Sequence, residues 1–168
     1  MKPPKRSPGK PAAATPLQAG AIEALGEARR TDAIPCFIEA LGDDTCRSAA
    51  EAALHKLGAQ ARAALVEAAA SPKPSALEES SSSVRRRRGA LELMARMLLP
   101  RQAWRSLRPC LEDRDAGIVL AAARLAVKLG NLDDKAAAVR RLAEVLPSAD
   151  SSLQRQIEDC LHALLKKA

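Results

Sequence analysis

Residues 24–58 read ALGEARRTDAIPCFIEALGDDTCRSAAEAALHKLG, and the pattern of this stretch returns further along the chain. The pair Leu57-Gly58 recurs as Leu129-Gly130, and the small pair Ala49-Ala50 recurs as Ala121-Ala122, each 72 residues later. That distance corresponds to two units of about 36 residues, and periods of about 20–50 residues are typical of stacked supersecondary units. The stretch therefore predicts a helical repeat protein.

Composition agrees with a helical fold. The chain has 168 residues, of which 47% are hydrophobic and 28% charged; alanine is abundant, and Phe37 and Trp104 are the aromatic residues. Alanine favours helices, whereas strands favour aromatic and β-branched residues, so an all-α domain is predicted. We find no apolar run of the roughly 18 residues that a bilayer requires and no secretory leader, which predicts a cytoplasmic protein without a membrane partner.

The chain divides into a tail and a repeat region. Residues 1–15 are basic and rich in proline, which predicts a disordered tail. Residues 16–168 predict a capping helix over about 16–29 followed by about four helix pairs. The second pair contains a polar, proline-containing insertion at residues 71–83.

Apolar residues at helical spacing define the predicted core. In the first pair these are Ile34, Phe37, Ile38 and Leu41, followed by Cys46, Ala49, Ala50, Ala53, Leu54 and Leu57. In the second pair Ala61, Ala64, Leu65 and Ala68 take the places of the first four. The four cysteines form no metal-ligand pair and are predicted to be buried thiols. A capping box is predicted at Ser151 and Gln154.

The residues of the first pair carry a family likeness. IPCFIEALGDD at 34–44, followed by CRSAAEAALHKLG at 46–58, resembles the short HEAT-like repeat named after phycobilisome lyases. Pro35 and Arg47 stand where that repeat has its proline and its arginine; the later units depart from both. The resemblance implies a right-handed α-solenoid, with first helices on the convex side and second helices on the concave side, and it implies little chemistry.

Some helical-repeat relatives are hydroxylases whose iron is held by His-Glu dipeptides. Here Lys56 follows His55 and Ala163 follows His162, so that motif is absent. The sequence also lacks a glycine-rich phosphate loop and an arguable nucleophile triad. We therefore predict no catalytic residue, no metal and no cofactor.

The run Arg85, Arg86, Arg87 and Arg88 is the sharpest local feature. Four consecutive helical residues span about 300° of the helix circumference, so the arginines cannot all face solvent. We expect them in the first turn of their helix, where the helix dipole disfavours cations. Either Glu78 and Glu79 compensate them, or an acidic or phosphorylated partner does.

A second candidate is a ladder of bases on the second helices. Aligning these helices brings Lys56, Arg88, Arg96, Arg124, Lys128 and Arg155 to equivalent positions, together with Glu92 and Asp159. Equivalent positions stack in a solenoid, so the ladder is either a solvated flank or a basic concave groove.

These features predict a non-enzymatic interaction or scaffold module that binds a protein through its concave face and residues 71–88. The alternative is nucleic-acid binding by the tail, the arginine run and the ladder, with salt-sensitive phosphate contacts. Against this alternative, the chain lacks the interleaved aromatic residues on which single-stranded bases stack.

Overall fold

The structure, a computed structural model, describes residues 19–70 and 79–166, and within them it contains helices and turns but no strand. The predicted tail and residues 71–78 of the predicted insertion lie outside the described residues. The α-helices are α1 (Ala19–Glu27), α2 (Ile34–Ala40), α3 (Arg47–Leu57), α4 (Arg62–Ala69), α5 (Ser81–Arg96), α6 (Trp104–Leu107), α7 (Ala116–Leu129), α8 (Leu132–Val145) and α9 (Ser151–Leu165). The 3-10 segments are Thr31–Ala33, Gly58–Ala61, Arg101–Ala103, Arg108–Glu112 and Leu146–Ser148.

The helices contact one another in chain order. Helix α3 packs against α1 and α5, and α7 packs against α5 and α9, so the odd-numbered helices form one series. Helix α4 contacts α2 and α6, and α8 contacts the segment Arg108–Glu112 that follows α6. Each even-numbered helix also packs on the odd-numbered helix that follows it. The apolar core therefore lies between the two series.

The predicted core of the first helix pair is confirmed. Every residue of that prediction is buried, from Ile34 in α2 to Leu57 in α3. In the second pair Ala61 and Leu65 are buried as predicted, whereas Ala64 and Ala68 are half-buried; Ala69, which was not in the predicted stripe, is buried as well. Three of the four cysteines are buried as predicted, but Cys36 is exposed because it lies on the outer face of α2.

Helix α7 is buried much more completely than its apolar stripe predicts. The stripe at helical spacing, Ile118, Ala121, Ala122 and Leu125, is buried, and Leu129 at its end is half-buried. Val119, Leu120, Ala123 and Ala126 are buried as well. Helices α5, α8 and α9 and the segment Arg108–Glu112 pack around α7, and a helix that is apolar on all sides is typical of such a central position. Leu120, which the repeat alignment puts level with the ladder residues Arg88 and Arg155, is thus a core residue and interrupts the ladder.

Glycine permits a close approach between α1 and α3. A Cβ atom placed on Gly26 would lie 2.7 Å from the Cβ of Ala53. Real Cβ atoms do not come this close, so only glycine fits at this crossing. Gly26, which lies one residue before the end of α1, is therefore required for the packing of α1 against α3.

The start of α5 and the cap of α9 differ from the prediction. Helix α5 begins at Ser81, and the hydroxyl of Ser80 accepts a hydrogen bond from the amide of Ser83, so residues 81–83 belong to the helix and not to the insertion loop. At α9 the carboxylate of Asp150, and not Ser151, accepts from the first-turn amides. In both cases the residue one or more positions upstream caps the helix, because its extended backbone aims the side chain at the free amides.

None of the helices within residues 19–70 and 79–166 combines the length and the apolar character that crossing a bilayer requires.

Candidate interaction surfaces

The arginine run lies in the second turn of α5, because the helix begins at Ser81. The expectation that it occupies the first turn is therefore wrong, and the helix dipole has less influence there. The four side chains do diverge around the helix as expected. Each reaches a carboxylate of this chain.

Arg87 is the buried member of the run, with 2% of its surface exposed. Its Nη1 donates to Glu79 Oε2 at 2.7 Å, and its Nη2 donates to Asp113 Oδ2 at 2.5 Å. Its Nε donates to the carbonyl of Ala69 at 3.4 Å. Burial alone would lower the pKa of Arg87, but the two carboxylates outweigh burial and raise it, so the guanidinium stays charged.

Arg85 and Arg86 point to the preceding helix pair. Arg86 donates to both carboxylate oxygens of Glu39 at 2.6 and 2.8 Å. The Nε of Arg85 donates to the carbonyl of Gly42 at 3.1 Å, and Asp44 lies 3.6 Å away. These contacts join α5 to α2 and to the turn at 42–44.

Arg88 points to the following pair. Its Nη2 donates to Asp115 at 2.8 and 3.1 Å, while the same carboxylate caps α7 by accepting from the amide of Ile118. A Cβ atom on Gly117 would lie 2.4 Å from the guanidinium carbon of Arg88. Glycine at 117 therefore makes room for this ion pair.

The run thus joins two turns that occupy equivalent places in neighbouring helix pairs, 42–44 and 113–115. Of the predicted local partners, Glu79 does pair with Arg87, and Glu78 lies outside the described residues. Sequence reasoning missed Glu39, Asp44, Asp113 and Asp115. The turns at 42–44 and 113–115 have the acidic sequences Gly-Asp-Asp and Asp-Arg-Asp, and this pattern could have indicated that they pair with the arginines.

The ladder residues are also engaged within the chain. Lys56 pairs with Glu27, Arg96 pairs with Glu51, and Lys128 donates to the carbonyl of Ala95. The remaining contacts are Arg124 Nη2 to Gln156 Oε1 at 3.0 Å and Glu92 Oε2 to Arg47 Nη2 at 3.2 Å. Arg155 is exposed and forms no ion pair with a described residue. The ladder side chains therefore bridge neighbouring helices more than they form a free basic groove.

Cys110 and Cys160 are buried free thiols. The Sγ of Cys110 donates to the carbonyl of Ala69 at 3.2 Å, beside Arg87. Burial raises the pKa of Cys110, and burial raises the pKa of Cys160 to about 11. Both thiols are protonated at neutral pH and are poor nucleophiles.

A different group of arginines lies on the helical path 101–112. Arg101, Arg105 and Arg108, hereafter the α6 arginine row, lie within eight consecutive residues, on α6 and on the 3-10 segments before and after it. All three are exposed. Arg108 Nε donates to Asp134 Oδ1 at 2.8 Å, whereas neither Arg101 nor Arg105 forms an ion pair with any described residue.

Asp134 holds Arg108 and also begins α8. It forms a capping box with Asn131, in which each side chain accepts from the other residue's amide at 2.8 and 3.1 Å. Burial would raise the pKa of Asp134, but the Asn131 amide and the Arg108 guanidinium lower it by more. Asp134 is thus a charged anchor for Arg108.

A cleft of about 580 Å³ lies between α2, α4 and α5. Its lining residues are Pro35, Ile38, Glu39, Ala64, Glu67, Ala68, Ala70, Ser83, Arg86 and Arg87. Ser83, Arg86 and Arg87 belong to the segment 71–88 that the sequence proposed as a binding region. The rest of the lining comes from the first helices of two neighbouring pairs.

His55 and His162 are both exposed, and no group of three or more metal-ligating side chains exists among residues 19–70 and 79–166. Comparisons with protein families, with curated proteins and with solved structures find no match to this chain.

Proposed function

We propose that this chain is a non-enzymatic protein-interaction module, built as a short α-solenoid of HEAT-like repeats, that binds an acidic segment of a partner protein. The observation that carries this proposal is the α6 arginine row, in which Arg101 and Arg105 are exposed without an acidic neighbour among the described residues.

The order of helix contacts supports the HEAT-like part of the proposal. Odd-numbered helices follow one another in one series and even-numbered helices in the other, as paired repeats require. Pro35 lies in the first turn of α2, and Arg47 opens α3 and bonds to Glu92 of α5. The two residues that the resemblance singles out thus have structural roles.

The distribution of ion pairs favours the α6 arginine row as the site for an acidic partner over the arginine run and the ladder. The four arginines of the run and most ladder bases already contact groups of this chain. A partner would have to displace those groups, whereas the guanidinium groups of Arg101 and Arg105 have no ion-pair partner among the described residues. Two or three carboxylates spaced along a peptide would match the spacing of the row.

Nucleic-acid binding remains the alternative, and two features of the row disfavour it. Glu112, four residues beyond Arg108, is an exposed carboxylate that lies near Arg140 and Arg141, so the basic segment is short. Trp104 is buried beneath the row and offers no stacking surface to a base. Three phosphate contacts would also give only a shallow salt dependence.

Fluorescence anisotropy with fluorescein-labelled decaglutamate tests the proposal. We expect Arg101→Gln/Arg105→Gln to weaken binding about tenfold, since two exposed charge contacts are worth about 1.4 kcal/mol together. The matched control is Arg114→Gln/Arg155→Gln, which removes two exposed arginines that form no ion pair with a described residue. The control should bind decaglutamate within about twofold of the wild-type affinity.

Equal weakening in both double variants would mean that net charge alone attracts the probe, and it would refute the proposal. Duplex DNA that binds more tightly than decaglutamate, with the same loss in the row variant, would establish the nucleic-acid alternative instead.

A further inference from the structure

The cleft between α2, α4 and α5 has a simple origin in the sequence. In the repeat alignment, Ala64 and Ala68 of α4 stand where α2 has Phe37 and Leu41. Phe37 and Leu41 are fully buried, whereas the two alanines are half-buried at the cleft wall. The exchange of large for small side chains at repeat-equivalent positions leaves space beside α4. Its volume of about 580 Å³ falls in the range of ligand pockets, about 300–1,000 Å³.

Apolar groups form much of the wall. Pro35 and Ile38 contribute from α2, and Ala64 and Ala68 contribute from α4. These side chains have no hydrogen-bonding atoms. The surface they form suits a hydrocarbon chain and offers nothing to a compact polar group.

The charged side chains that line the cleft are two arginines and two glutamates, and three of the four are paired. Arg86 donates two hydrogen bonds to Glu39. Arg87 is only 2% exposed and pairs with Glu79 and Asp113, neither of which lines the cleft.

The last charged residue of the lining is Glu67, which is exposed and forms no ion pair with any described residue. Among the charged side chains of the lining, Glu67 is therefore the one without an ion-pair partner in the described part of the chain. An occupant of the cleft would be positively charged.

We propose that the cleft binds a lysine or arginine side chain presented by a basic segment of a partner protein. The apolar stem of that side chain would lie against Ile38, Ala64 and Ala68, and its cationic head would pair with Glu67 at the rim. Long basic side chains combine an apolar stem with a charged tip, and the cleft has both matching parts. This inference is independent of acidic-segment binding at α6, because no residue of the α6 arginine row lines the cleft.

The probe is a fluorescein-labelled dodecapeptide of alternating lysine and alanine, compared with the same peptide carrying norleucine in place of lysine. Norleucine keeps most of the apolar stem and removes the charge. We expect Glu67→Gln to weaken binding of the lysine peptide about fivefold and to leave the norleucine peptide unchanged. Glu23→Gln removes an exposed carboxylate on α1 that forms no ion pair with a described residue, and it should leave binding of both peptides unchanged.

A substitution that fills the cleft tests whether the apolar stem of the bound side chain lies there. We expect Ala68→Leu to weaken both peptides about tenfold, because the added side chain occupies the space of the stem. Ala63→Leu is the matched control, since Ala63 is exposed on the same helix and does not line the cleft. If Ala68→Leu does not fold, Ala64→Leu serves the same purpose.

Three results would overturn the inference. These are lysine-peptide binding that Ala68→Leu or Ala64→Leu leaves intact, equal weakening by Glu67→Gln and Glu23→Gln, and the absence of lysine-peptide binding to the wild type at low salt. Decaglutamate binding serves as an independent readout, and it should be unchanged in the cleft-filling variants.

Discussion

The arginine run of α5 and the α6 arginine row put similar charge into two short segments and use it in opposite ways. Consecutive arginines turn by about 100° from one to the next, so the run points to four different neighbours. The three arginines of the α6 arginine row are all exposed, and Arg108 is the member that pairs with a carboxylate of the described residues, so the row keeps charge at the surface. The direction of the side chains, and not the density of charge along the sequence, decides which arginines remain available to a partner.

Burial separates the two regions energetically as well. Arg87 is inaccessible to water and has two carboxylates, of which Glu79 is 18% exposed and Asp113 12% exposed. Removing one member of a buried ion group leaves uncompensated charge and costs about 3–5 kcal/mol. Exposed ion pairs contribute about 0–1 kcal/mol, so the α6 row should matter for binding and hardly for stability.

The largest expected effect is therefore that of Arg87→Ala. We expect it to lower the free energy of unfolding by about 3–5 kcal/mol in urea denaturation, because Glu79 and Asp113 lose their counter-charge. The control within the same run is Arg85→Ala, whose ion pair is long and whose side chain is 38% exposed, and which should cost about 1 kcal/mol or less. If Arg85→Ala and Arg87→Ala lower the free energy of unfolding equally, burial does not separate the members of the run in their contribution to stability.

The comparison depends on the helical register, which a change of size in the core can test. Ala50 and Ala122 are fully buried in α3 and α7. Replacing either with leucine should overpack the core and cost about 1–3 kcal/mol, measured as a lower melting temperature. Ala52→Leu, on the exposed face of α3, should leave the melting temperature nearly unchanged. A larger loss for Ala52→Leu than for Ala50→Leu would mean that the register is wrong.

The smallest expected effect on stability concerns the ion pair between Arg108 and Asp134. Because the pKa of Asp134 is lowered in the folded state, its charge stabilises the fold at pH values above its unfolded pKa of about 3.9. This contribution is lost as the pH falls through the folded pKa. We expect Asp134→Asn to cost about 1 kcal/mol at pH 7 and the difference from wild type to shrink below about pH 4.

The exposed neighbour Asp133 supplies the control, and Asp133→Asn should change stability little at either pH. An Asp134→Asn penalty that is the same at pH 3 and at pH 7 would show that the carboxylate charge does not stabilise the pair.

Several structural features were predictable because they depend on local pattern. The stripes of α2 and α3 were assigned residue by residue, since spacing of 3.6 residues and a buried face go together. The extensive burial of α7 was not predictable from the sequence. An apolar residue such as Leu120 can lie on the exposed side of a helix or in the core, and only the neighbouring helices decide between the two. The start of α5 was missed because four consecutive serines offer several possible caps.

The sequence by itself determined that the described residues are helical, where most helices end, and that four adjacent arginines cannot all face solvent. Only the tertiary structure decided which carboxylates meet those arginines, since Glu39, Asp44, Asp113 and Asp115 lie 26 to 47 positions away along the chain. Within residues 19–70 and 79–166, the tertiary structure also left Arg101 and Arg105 without an ion-pair partner and opened a cleft beside Ala64 and Ala68. Helical periodicity is set by the local backbone, whereas ion pairing and cavities depend on how separate helices come to lie beside one another.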